Sequence, residues 1–109
     1  MKSELLNAAM KGNVSETHKL NGPYKFYAEI NGETCFSVSK QLGTYENPEV
    51  EVYMESPVEN GFATLRVIVP TMSVIQRSRV SDELFRTSMQ FIQSNALDII
   101  EVAEGKTKI

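Results

Sequence analysis

Residues 82–104, "DELFRTSMQFIQSNALDIIEVAE", carry the longest helical period in the chain. Phe85, Met89, Ile92, Ala96, Ile99, Ile100 and Ala103 recur at three- and four-residue spacing, so one side of a helix over 82–104 must be buried against another layer. Ser81 is placed to cap it, Asp82 and Glu83 complement its dipole, and Gly105 followed by Lys106 supplies the stop. Leu84, Phe91 and Val102 fall on a flank about 90° away, at roughly 100° per residue. That flank widens the apolar stripe beyond what one sheet face needs. A short N-terminal helix or a second subunit is expected to cover it.

The layer beneath the helix is read from period-two runs. "YKFYAEI" and "TCFSVSK", separated by "NGE", form a hairpin over 24–40. A two-residue Asn31-Gly32 turn would scatter the apolar side chains over both faces. An odd-numbered loop with Gly32 left-handed instead aligns Tyr24, Phe26 and Ala28 with Phe36 and Val38, leaving Lys25, Tyr27, Glu29, Cys35, Ser37 and Ser39 opposite. A second strand pair is expected over 49–70. "VEVYME" reads as a half-exposed strand, with Val50, Val52 and Met54 inward and Glu51, Tyr53 and Glu55 outward. In "FATLRVIVP", Ala63, Leu65, Val67 and Val69 face inward and Phe62, Thr64, Arg66 and Ile68 outward. Pro70 cannot donate to a ladder, and 71–80 follows as a connector. At the other end, Ser3 caps a helix over 3–11 with Leu5, Leu6, Ala9 and Met10 on its apolar side, and a polar linker follows. With 109 residues, 41% of them hydrophobic, the chain builds one core. The expected fold is therefore a single α+β domain, 1–109: a four-stranded antiparallel sheet with a long C-terminal and a short N-terminal helix packed on one face.

Catalytic chemistry finds no support in the residues. Glu46, Glu49, Glu51, Glu55 and Glu59 lie in a stretch without lysine or arginine between Gln41 and Leu65. Glu49, Glu51 and Glu55 share the outer face of one strand, yet no loop supplies the convergent oxygens of a hard-cation site, and a solvated strand that discourages aggregation is the simpler reading. His18 and Cys35 are each alone of their type, which excludes a multi-ligand soft-metal site. Nothing beside Cys35 would lower its thiol pKa. The glycines stand singly, so there is no phosphate-cradling loop. No catalytic residue, metal or cofactor is assigned. A lone cysteine, no signal-peptide run and no span long enough for a bilayer lead us to expect a cytoplasmic protein outside the membrane.

Two surfaces remain for binding. The outer sheet face offers Tyr27, Tyr53, Phe62 and Ile68 with Lys25 and Arg66 beside them, a wall for a peptide or a stacking platform for bases. The 71–80 segment offers Val74 and Ile75 with Arg77 and Arg79, either as satellite core under the helix or as an arm that pairs with a partner strand. A formal charge of −3 disfavours nucleic acid, whose binders neutralise phosphates.

The order strand, strand, connector, long helix over 50–102, above all "VSDELFRTSMQFIQ" opening a helix after a strand and connector, resembles the C-terminal strand-strand-helix portion of type III secretion chaperone-like domains, a likeness that covers about half the chain. That resemblance implies a small acidic dimer that binds extended segments of other proteins without catalysis. The expected function is a non-catalytic protein-binding module, chaperone-like or inhibitory, that also associates with itself. Single-stranded nucleic-acid binding on the sheet is the alternative.

Overall fold

The computed structural model describes residues 22–105; the expected helix over 3–11 and His18 lie outside them. Among the described residues, five strands run as an antiparallel meander, β1 (Lys25–Ile30), β2 (Thr34–Gln41), β3 (Val50–Val58), β4 (Gly61–Val69) and β5 (Ser73–Ser78), each paired with the next. Two helices follow, α1 (Asp82–Ser94) and α2 (Ala96–Ala103). The class is α+β as expected, but the sheet has five strands where four were read, and the long helix is two.

The fifth strand comes from the segment read as a connector. Met72, at φ 63°, turns the chain back after Pro70. Ile68 then pairs with Ser73 and Val67 with Val74, and the register shifts so that Arg66 faces Gln76. The extra residue, Ile75, is a bulge. It breaks the period of two, which hid the strand in the sequence.

A second bulge sits in β1. Ile30 pairs with Thr34 and Ala28 with Phe36, so the hairpin loop has the expected odd length, with Asn31 and Gly32 both at left-handed φ. Between Ala28 and Phe26 the register shifts by one residue, and Phe26 falls opposite Ser37. Tyr27 therefore joins the inner side, and Phe26 goes to the outer one, the reverse of the sequence reading.

The helix breaks at Asn95. Its side chain donates to the Phe91 carbonyl at 2.8 Å while its own N–H is shared between the Phe91 and Ile92 carbonyls, both at 3.2 Å. An asparagine that bonds its own backbone competes with the helical ladder. The break re-aims the flank residues. The Phe91 ring lies 4.5 Å from that of Phe36, and Val102 joins Ile92, Ile99 and Ile100 in the core against Phe36, Val38, Val52 and Leu65. The sheet itself thus covers Phe91 and Val102, and neither needs a second subunit. Among the described residues, no helix is long and apolar enough to cross a membrane.

Candidate functional site

Each strand presents alternate residues to the side away from the helices. Residues paired across the ladders share a face, which places Cys35, Ser37, Glu51, Tyr53, Glu55, Thr64, Arg66 and Gln76 there. The faces assigned to β3 and β4 from sequence are those observed. Their environment is not the one expected.

Glu51 and Arg66 form a buried ion pair, exposed by 0% and 1%. The Arg66 Nε donates to Glu51 Oε2 at 2.6 Å and its Nη2 to Oε1 at 3.1 Å. Tyr24 Oη donates to the same Oε2 at 2.7 Å. Arg66 Nη1 reaches Gln76 Oε1 at 3.2 Å, and Gln76 Nε2 continues to Thr64 Oγ1 at 3.2 Å. The Glu51 N–H donates to Ser39 Oγ at 3.0 Å. Bidentate pairing of this kind fixes the guanidinium plane. Burial works to lower the Arg66 pKa, but the hydrogen bonds and charge of Glu51, helped by Tyr24, outweigh it and leave the pKa raised. The reading of Glu51 and Glu55 as a solvated, aggregation-blocking row on a half-exposed strand is corrected here: β3 is the central strand, and both carboxylates are buried.

The residues expected to bind a partner divide accordingly. Tyr53 is 4% exposed, its ring packed edge-on to that of Tyr24 at 5.1 Å. Arg66 is committed to Glu51. Tyr27 faces the helices through its bulge, donates to Asp98 Oδ2 at 2.7 Å and lies near Phe91. Phe62 and Ile68 are half-buried on the outer face. The proposed aromatic platform is therefore not assembled, since its tyrosines lie on opposite faces and both are buried.

On β5 the outcome differs. Val74 and Ile75 are 41% and 38% exposed, on a strand that among the described residues has a neighbour on one side only. Arg77 is held by its own chain, donating to the Val80 carbonyl at 2.9 Å and Asp82 Oδ1 at 2.9 Å, with its guanidinium 4.3 Å above the Phe85 ring. Arg79 donates to the carbonyls of Asn60 and Glu59 at 3.1 and 2.5 Å, bracing the β3–β4 turn. These two arginines close a turn and a helix start, and they leave Val74 and Ile75 as the apolar surface of the edge.

Sequence reading missed Tyr24 and Gln76, which join the ion-pair network. It also missed Phe26, 41% exposed on the other edge strand. The pair itself left a signal, because an outward glutamate on β3 and the one outward arginine on β4 are diagonal neighbours in the ladder.

Cys35 lies beside a cavity of about 200 Å³ whose lining includes Glu29, Glu33, Glu55 and Phe62. Its thiol donates to Glu29 Oε1 at 4.0 Å. Among the described residues, no group of three or more His, Cys, Asp or Glu side chains is arranged to hold a metal.

The two buried tyrosines give the fold a pH limit. Burial first, then the hydrogen bond and charge of Asp98, raise the Tyr27 pKa far above the ordinary phenol value. Burial and then the Glu55 charge do the same for Tyr53, with Arg66 opposing and Glu51 assisting. Phenols that resist ionisation when folded contribute stability that is complete below the unfolded pKa of ~10 and is lost as pH rises above it. Thermal unfolding followed from pH 9 to 12 should show the midpoint falling above pH ~10. The fall should be shallower in Tyr27→Phe/Tyr53→Phe. Parallel slopes for the two proteins would contradict the assignment.

The chain matches no protein-family model, and no curated protein or solved structure matches it significantly.

Proposed function

We propose that this is a non-catalytic protein-binding module, chaperone-like or inhibitory, that takes an extended segment of another protein along the edge that β5 forms among the described strands. The observation that carries the proposal is the exposure of two branched apolar side chains, Val74 and Ile75, on that edge. A strand edge supplies main-chain donors and acceptors for affinity, and alternate side chains supply selectivity. The bulge at Ile75 limits indiscriminate edge pairing, so an incoming strand has to fit its twist. From the type III secretion chaperone resemblance the proposal takes this mode of action and no dimer geometry, because the described strands run as an uninterrupted meander. A second copy is one such strand donor, and a reducing cytoplasm suits the single thiol. The nucleic-acid alternative loses its motivation with the burial of Tyr27, Tyr53 and Arg66.

The test selects peptides from a random library on the full chain. Selected peptides should bind Val74→Lys/Ile75→Lys at least about tenfold more weakly, since the apolar anchors of an interface carry most of its energy. They should bind Phe26→Lys, altered on the opposite edge, unchanged. Equal affinity for all three proteins would remove β5 as the site. Sedimentation over a range of concentrations reads self-association at the same edge, which the β5 variant should weaken.

A further inference from the structure

The connection from β2 to β3 is longer than the meander requires. It takes eight residues, 42–49, where β3 and β4 are joined by two, and hairpins close with about two to five. The added length is braced. The Leu42 N–H donates to the Glu49 carbonyl at 2.7 Å and closes the base. Further out, the Asn47 N–H donates to Thr44 Oγ1 at 3.0 Å and Gln41 Nε2 to the Thr44 carbonyl at 3.1 Å. At Gly43 the chain runs so close to the Asn47 carbonyl oxygen that a β-carbon would collide with it. Tyr45, at the tip, takes no part in these bonds. It is 89% exposed, more than any other large apolar side chain among the described residues.

We propose that Tyr45 anchors a second contact, distinct from the β5 edge, in which the 42–49 loop inserts its ring into an apolar pocket rimmed by lysine or arginine on a partner protein. A lone exposed apolar group is ordinary on a protein surface. A loop already held in one shape around it is different, because the entropy of ordering is lost before the partner arrives and not at the cost of binding. Tyrosine suits the role, since its ring supplies buried area and its hydroxyl a hydrogen bond at the pocket floor. Charge sets the rim. Glu46 is exposed beside the ring, Glu49 is half-buried at the loop base, and no lysine or arginine lies between Gln41 and Leu65. The same carboxylates repel phosphate groups, which argues against nucleic acid or an anionic membrane as the occupant. A second copy fits poorly as well, because the cavity beside Cys35 is lined by Glu29, Glu33 and Glu55, of like charge to Glu46.

The experiment uses the full chain carrying Tyr45→p-benzoylphenylalanine, with the same photoprobe in place of Leu97, 73% exposed on α2, as the control. Irradiation in an extract of the source cells should give an adduct specific to position 45. The protein in that adduct is then purified and titrated. It should bind Tyr45→Ala at least about tenfold more weakly than the wild type, the loss expected of a central aromatic anchor. Glu46→Lys should also weaken it, by a margin that narrows at high salt. Gly43→Val, which opens the brace and leaves Tyr45 in place, should weaken it in turn. Val74→Lys/Ile75→Lys should bind as the wild type does, which separates this contact from the β5 edge. An unchanged urea midpoint in Tyr45→Ala shows that the fold is intact. The proposal is overturned if no adduct is specific to position 45, if the adduct joins two copies of this chain, or if the purified protein binds Tyr45→Ala as tightly as the wild type. Recruitment to phosphatidylglycerol vesicles that is lost in Tyr45→Ala would assign the tip to a membrane and overturn it too.

Discussion

Arg66→Met should lower the unfolding free energy by roughly 3–5 kcal/mol, the usual cost of leaving one buried charge without its partner. The Glu51 carboxylate would keep Tyr24 and lose both guanidinium hydrogen bonds, at 2.6 and 3.1 Å, in a site with no exposure to water. The pair as a whole contributes far less than that loss suggests, because desolvating two charges offsets most of their attraction. Glu51→Met/Arg66→Met should therefore recover most of the stability lost in the single variant. Urea unfolding reads this directly, as a midpoint that falls in Arg66→Met and returns in the double variant, with the slope unchanged throughout. The loss should persist at 1 M salt, where an exposed pair is screened over about 3 Å. A deficit under about 1 kcal/mol, or one abolished by salt, would mean that the pair is wet and the outer face uncovered.

How far the sequence discloses this arrangement depends on whether a residue obeys the local period. β3 and β4 alternate without interruption, so their faces are legible residue by residue, and their ladder runs unbroken from Val50–Val69 to Val58–Gly61. β1 and β5 each contain one extra residue. A bulge moves every residue beyond it to the other face, and no side chain in "YKFYAEI" or "SVIQRS" announces where it falls. That shift alone puts Tyr27 on the helix side, against the period of its neighbours. The Asn95 break is legible in hindsight as a poor helix former between two strong apolar turns, but tertiary packing often carries helices through such residues. Burial on the outer face was not legible at all. Period-two alternation says which residues share a side, and it says nothing of what covers that side.

Phe36→Ala should be the most damaging truncation in the apolar core, at about 3–5 kcal/mol. Phe36 is wholly buried, lies opposite both Ala28 and Met54, and meets Phe91 at a ring separation of 4.5 Å. It is thus the point where β1, β2, β3 and α1 converge. Neighbouring strands hydrogen-bond to β2 on both sides, so the backbone cannot collapse into the void, and the cavity term adds in full to the lost transfer energy. For a domain of this size each kcal/mol corresponds to roughly 4–8 °C, which places the expected fall in midpoint at roughly 12 °C or more. Leu97→Ala is the internal comparison. Leu97 is among the exposed apolar side chains, and its truncation should stay within about 0.5 kcal/mol. Comparable losses for the two variants would show that α1 does not lie on Phe36, and the placement of both helices on the inner face would fall with it.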